Sequence, residues 1–127
     1  MTAGNDSVAR ELLASARTLV DRSSVDTRGL WPRAAVLLAR QSLEAALKKY
    51  WSTVAPGVEE CSMRAQLLCL GSYVSDHEFA RRANLVWTSL SRAAHFHPYE
   101  LPPTHEELVT WFECVAEVLD KTEAAWR

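Results

Sequence analysis

The 127-residue chain is short of glycine (four) and cysteine (three), and it lacks any apolar run near the length of a membrane span. Each shortage excludes something. With so little glycine and 48% hydrophobic residues, the composition is that of a folded chain rather than a disordered one. Three cysteines, odd in number and without repeated spacing, argue against a disulfide scaffold and fit a reducing compartment. Cys61, Cys69 and Cys114 therefore read as small buried apolar residues. No stretch approaches ~18 uninterrupted apolar residues. The opening MTAGNDSVARELL has no basic region followed by an apolar run, so a soluble, cytoplasmic protein without a membrane partner is expected. Charge of neither sign dominates: 14 basic and 16 acidic side chains leave a net charge of -2. Tight non-specific binding of long nucleic acid is not the default for such a balance, whereas a short, local RNA contact stays open.

What the chain does have is helical periodicity. At this length it supports one domain, residues 1–127, with one core. A first helix is expected over 7–21, with Val8, Leu12, Leu13, Ala16, Leu19 and Val20 at three- and four-residue intervals. A second spans 32–54, with Pro32 in its first turn and a broad apolar band of Val36, Leu37, Leu43, Ala46, Leu47 and Tyr50. That width marks it as the central element, and the Ala55-Pro56-Gly57 run ends it. A shorter helix over 59–70 is expected to stop at Gly71. A fourth, near 76–96, opens with a capping box of Ser75 and Glu78, and a fifth, 105–124, with one of Thr104 and Glu107. No segment alternates like a strand. The expected fold is all-α, a compact four- to five-helix bundle with one supplementary helix. Five tryptophans (Trp31, Trp51, Trp87, Trp111, Trp126) are enough to fill the core and leave one or two for an interface.

The chemistry concentrates in SLSRAAHFHPYELPPTHEEL, Ser89 to Leu108. On the fourth helix Arg81, Asn84, Thr88, Arg92 and His95 step by three or four and so share one face. Arg82 steps off that face. His97 precedes Pro98, which biases it away from helical geometry just where Arg92 and His95 lie. A histidine moves protons near neutral pH, and an arginine holds phosphate oxygens and the charge that builds on them. RNA brings its own nucleophile to such a pair, its 2′-hydroxyl, so no metal is required. A metal reading of His95, His97, Glu100, His105 and Glu106 lacks the tight ligand pairs of zinc motifs, and no metal or cofactor is expected. Arg40, Glu44 and Lys48 form two i,i+4 pairs on the second helix. Their second reading places Arg40 and Glu44 beside the Arg92–His97 corner as orienting groups, with the second and fourth helices as neighbours.

RAAHFH, Arg92 to His97, late in a helix of a small all-α bundle, resembles the signature of the HEPN domain superfamily. WPRAAVLLARQSLEAAL resembles the opening helices of small actinobacterial HEPN-like proteins of uncharacterised role. The resemblance implies a homodimer that brings two copies of the motif to one cleft. It also implies either a metal-independent endoribonuclease, as in toxin–antitoxin or RNA-processing systems, or a non-catalytic dimerisation or protein-binding module. An antitoxin or other protein is an implied partner. Carried over, Arg92 holds the scissile phosphate and His97 is the general acid or base. Where active members usually have a polar residue the chain has Ala93, and His95 is the polar group that could stand in. Arg81, Asn84 and Thr88, with Arg40 and Glu44, are the candidate substrate contacts.

Overall fold

The computed structural model describes residues 3–21, 31–95 and 101–125, with side chains from residue 8 in the first stretch and from residue 32 in the second. Its helices are α1 (Ala3–Asp21), α2 (Trp31–Val54), α3 (Met63–Val74), α4 (His77–Ala94) and α5 (His105–Glu123), with a single 3₁₀ turn, Val58–Glu60, between α2 and α3. No strand occurs among the described residues.

Four of these helices make an up-and-down bundle, and cross-helix contacts fix its order. Ser42 on α2 donates a 2.6 Å hydrogen bond to the Ala9 carbonyl on α1, so the two lie back to back along their length. Small residues at that seam, Ala9, Ala16, Ala35, Ala39 and Ala46, are buried and let the axes approach closely. Arg10 on α1 reaches Asp120 and Glu123 at the end of α5. Arg82 on α4 reaches Glu117 on α5, and Asp76 at the start of α4 pairs with Lys121. The cycle is therefore α1, α2, α4, α5, each antiparallel to the next.

The breadth of apolar residues on α2 has its cause in this position. Val36, Leu43, Leu47 and Trp51 are fully buried on it, between α1, α4 and α5. Burying a side chain of that size contributes about 1.5–3 kcal/mol. Leu37 departs from the expectation: it faces solvent at the rim. Val8 on α1 is likewise exposed.

α3 is the supplementary helix, laid against α4 and the end of α2. It begins after a turn in which Gly57 takes φ 107°, a left-handed conformation that glycine adopts without strain. Gln66 donates to the Cys61 carbonyl at 2.8 Å and holds the turn to the helix. Two expectations fail here. Gly71 does not end the helix. It stands where α3 crosses α4, and a Cβ there would lie 2.6 Å from His77 Nδ1 and 3.3 Å from Ala80 Cβ. The helix instead ends at Ser75, φ 55°. Ser75 is thus spent on terminating α3, and Asp76 caps α4 by accepting from the Phe79 N–H at 3.0 Å. Glu78 binds Arg81 rather than closing a capping box. The Thr104–Glu107 box at α5 forms as expected, in both directions.

The cysteines are a further correction. Cys61 and Cys69 are exposed, and only Cys114 is partly buried. Burial there pushes its thiol up from the ordinary range, which disfavours the thiolate.

Candidate functional site

α4 carries both the core stripe and the candidate site, on opposite sides. Phe79, Ala83, Val86, Leu90 and Ala94 are buried. Arg81, Asn84, Thr88, Arg92 and His95 are all exposed, so the three- and four-residue spacing does place them on one outward face. They are not equivalent along it. Arg81 is bound to Glu78 at 2.5 Å, and that hydrogen bond holds the Glu78 carboxyl below the usual range. Thr88 returns its hydroxyl to the Asn84 carbonyl at 2.9 Å. Arg82, off the face, is tied through two nitrogens to Glu117.

The far end of the face is where the helix stops. Arg92 lies in the last turn, where a cation is favoured by the helix dipole. His95 is the C-terminal cap, with extended backbone at ψ 136°, and its N–H donates to the Arg92 carbonyl at 3.3 Å. The two side chains thus sit at one exposed corner, with the imidazole freed from helical geometry. Ala93 points the other way, half-buried against the core. The position at which a polar residue is expected therefore faces inward rather than into the corner. His97, Pro98, Tyr99 and Glu100 lie outside the described residues, as does Trp126.

Of the two α2 candidates, Arg40 meets α4. The Arg40 guanidinium lies 4.7 Å from the Trp87 ring centroid, a cation–π stack across the seam. Its ion pair with Glu44 runs through Nε at 3.8 Å, too long for a hydrogen bond. Arg40 Nε and Ser91 Oγ are both buried without a hydrogen-bond partner among the described residues. Trp87 and Ser91, four apart on α4, escape a sequence reading because Trp87 looks like a margin of the core stripe. The signal that could have flagged them is their spacing, which puts both on the side that meets the polar strip of α2.

Charge is distributed unevenly for a chain of net charge -2. On α2 stand Arg33, Arg40, Lys48 and Lys49 against Glu44, and on α4 Arg81, Arg82 and Arg92 against Glu78. α5 carries Glu106, Glu107, Glu113, Glu117, Asp120 and Glu123 against Lys121. The balance that argued against a basic surface is thus an average over helices of opposite sign, α2 and α4 basic and α5 acidic.

Elsewhere the surface offers less. A shallow groove between α1 and α5 is lined by Arg17, Val20, Asp21, Val109, Phe112 and Glu113. No group of three His, Cys, Asp or Glu side chains that could hold a metal occurs among the described residues. No helix among them is long and apolar enough to cross a membrane. Compared with protein-family models, curated proteins and solved structures, the chain finds no match in any of the three.

Proposed function

We propose that the protein is a HEPN-like, metal-independent endoribonuclease that cleaves RNA by attack of the 2′-hydroxyl on the adjacent phosphate, at a cleft between two copies of the chain. The observation that carries this reading is the exposed Arg92–His95 corner at the end of α4, on the side of the bundle where basic residues outnumber acidic ones. Arg92 holds the non-bridging oxygens of the scissile phosphate and favours the charge of the transition state. His97 takes the proton from the 2′-hydroxyl or delivers one to the 5′-oxygen that leaves, and His95 supplies the second polar group of the pair. The products are a 2′,3′-cyclic phosphate and a free 5′-hydroxyl.

The test is cleavage of a mixed-sequence RNA by the purified chain in the presence of a chelator. Wild type cuts RNA and leaves the matching DNA intact. Arg92→Ala and His97→Ala, each tested alone, lower the rate at least about 100-fold with melting temperature unchanged. Full cleavage by both single variants sinks the assignment.

A second reading is favoured by a different observation. Leu68 on α3 is 75% exposed and Leu85 on α4 is 53% exposed, too much apolar side chain in water to serve the core. On that reading the chain is a non-catalytic dimerisation or protein-binding module, toward an antitoxin or another partner. Its mark is a dimer that Leu68→Glu dissociates in a chain that never cleaves RNA.

A further inference from the structure

We propose that Arg40, stacked on Trp87, is a second phosphate-holding position of this site, and that the substrate is therefore unpaired RNA laid across the α2–α4 seam. The inference rests on the RNA reading above and adds to it a place and a substrate class.

The charged arginines of the described surface differ in how they are used. Arg10, Arg81 and Arg82 each commit a terminal guanidinium nitrogen to a carboxylate, at 2.7, 2.5 and 2.9 Å. In Arg40 the carboxylate contact is the long one through Nε. The guanidinium carbon lies over the Trp87 ring at 4.7 Å, a contact that does not use the outer N–H groups, and the side chain keeps 31% of its surface in water. An arginine held in that way has already lost its rotamer freedom on folding, so it meets an oxyanion with little further ordering cost. Ser91 lies one turn along the same side of α4 from Trp87, with a hydroxyl that no described residue satisfies. One residue further on stands Arg92, on the adjoining outward face. A strand crossing α4 from the Arg92 corner to the seam thus meets two arginines.

Duplex RNA fits this arrangement poorly. Arg40 and Trp87 are recessed between two helices, and a rigid A-form backbone does not follow a recess that a flexible single strand can enter. The reaction asks for the same thing. The 2′-oxygen must line up with the leaving 5′-oxygen, a geometry that stacked A-form sugars oppose and a free strand reaches by rotation.

The experiment measures binding apart from cleavage, with a 2′-O-methyl oligonucleotide of about twelve nucleotides, single-stranded or annealed to its complement, by fluorescence anisotropy over a range of salt. Wild type binds the single strand at least about tenfold more tightly than the duplex. Arg40→Met weakens single-strand binding about tenfold and lowers the slope of log K against log salt by about 0.7, the value for one phosphate contact on a single strand. Arg40→Lys restores the slope but not the full affinity, because the charge returns without the planar stack. Arg17→Met, on α1 beside the α5 groove, changes neither. An Arg40→Met protein with wild-type affinity and slope overturns the proposal, as does equal binding of duplex. If wild type cleaves RNA while Arg40→Met is unaltered, only the Arg40 position is lost. A wild type that neither binds nor cleaves RNA removes the RNA reading itself.

Discussion

α4 and α5 are built alike and used differently. Each is an amphipathic helix of 18 or 19 residues that opens on a side-chain cap and buries one apolar stripe. On α5 the charges are mostly acidic, and three of them are met by arginines from neighbouring helices: Glu123 and Asp120 by Arg10, and Glu117 by Arg82. On α4 the excess is basic, and its final turn presents Arg92 and His95 to solvent beside the stacked Arg40. The charges of α5 register helices against one another, whereas Arg92 and His95 stand at an exposed corner where α4 ends.

The sharpest way to break that comparison is to remove one arginine from each side. Glu123 is buried, and Arg10 grips it through Nε at 2.8 Å and a terminal nitrogen at 2.7 Å. The Glu123 hydrogen bond is also what raises the Arg10 pKa most. Arg10→Ala removes a doubly hydrogen-bonded cation from a buried carboxylate, which costs about 1–2 kcal/mol once the solvent exposure of Arg10 is allowed for. On the proposed reading Arg92→Ala acts on RNA cleavage, and its loss of stability is the smaller of the two. Urea unfolding of both variants beside wild type measures this, and equal losses of stability would erase the distinction.

A smaller effect is expected at the opposite end of α4, where Gly71 brings α3 close. Gly71→Ala gains about 1 kcal/mol of helix propensity but sets a methyl against His77 and Ala80. The His77 ring is exposed and swings away, whereas the Ala80 contact at 3.3 Å requires the two helices to part slightly. A net loss of about 1 kcal/mol follows for the single variant. Adding His77→Ala recovers part of it, so a double-mutant cycle by thermal melting separates the ring contact from the backbone approach.

How far all this could be read from the sequence follows from which forces are local. The spans of α2 and α5 were legible because apolar spacing and caps lie within the helix itself, as with the Thr104–Glu107 box. The shared face of Arg81, Asn84, Thr88, Arg92 and His95 was legible for the same reason. The end of α3 was not: nothing near Gly71 in sequence announces that Ala80 will press on it from the next helix. Ser75 and Asp76 are both good caps, and only the chain's reversal decides that the first ends α3 and the second starts α4. Exposure of Cys61 and Cys69 follows from α3 lying at the margin of the bundle, which composition cannot reveal. The Arg40–Trp87 stack joins residues 47 positions apart by number, so it appears only once α2 and α4 are known to be neighbours.

The least change is expected from acid, and it tests whether the α4–α5 pairing extends to the capped start of α4. The Phe79 N–H holds the Asp76 carboxyl below its ordinary pKa of 3.8, with Lys121 of α5 adding a hydrogen bond and a favourable charge. A carboxyl whose folded pKa lies below its unfolded value contributes stability that is fully present above the unfolded pKa and is lost as pH falls through the folded one. Asp76→Asn keeps an acceptor for the Phe79 N–H but not the charge that faces Lys121. Wild type is therefore the more stable of the two at neutral pH, and the gap between their melting temperatures closes as the medium is acidified below the ordinary carboxylate range. A gap that stays constant from neutral to acid pH would mean that the charge contributes nothing. The ion-pair link from α4 to α5 would then reside in Arg82 and Glu117.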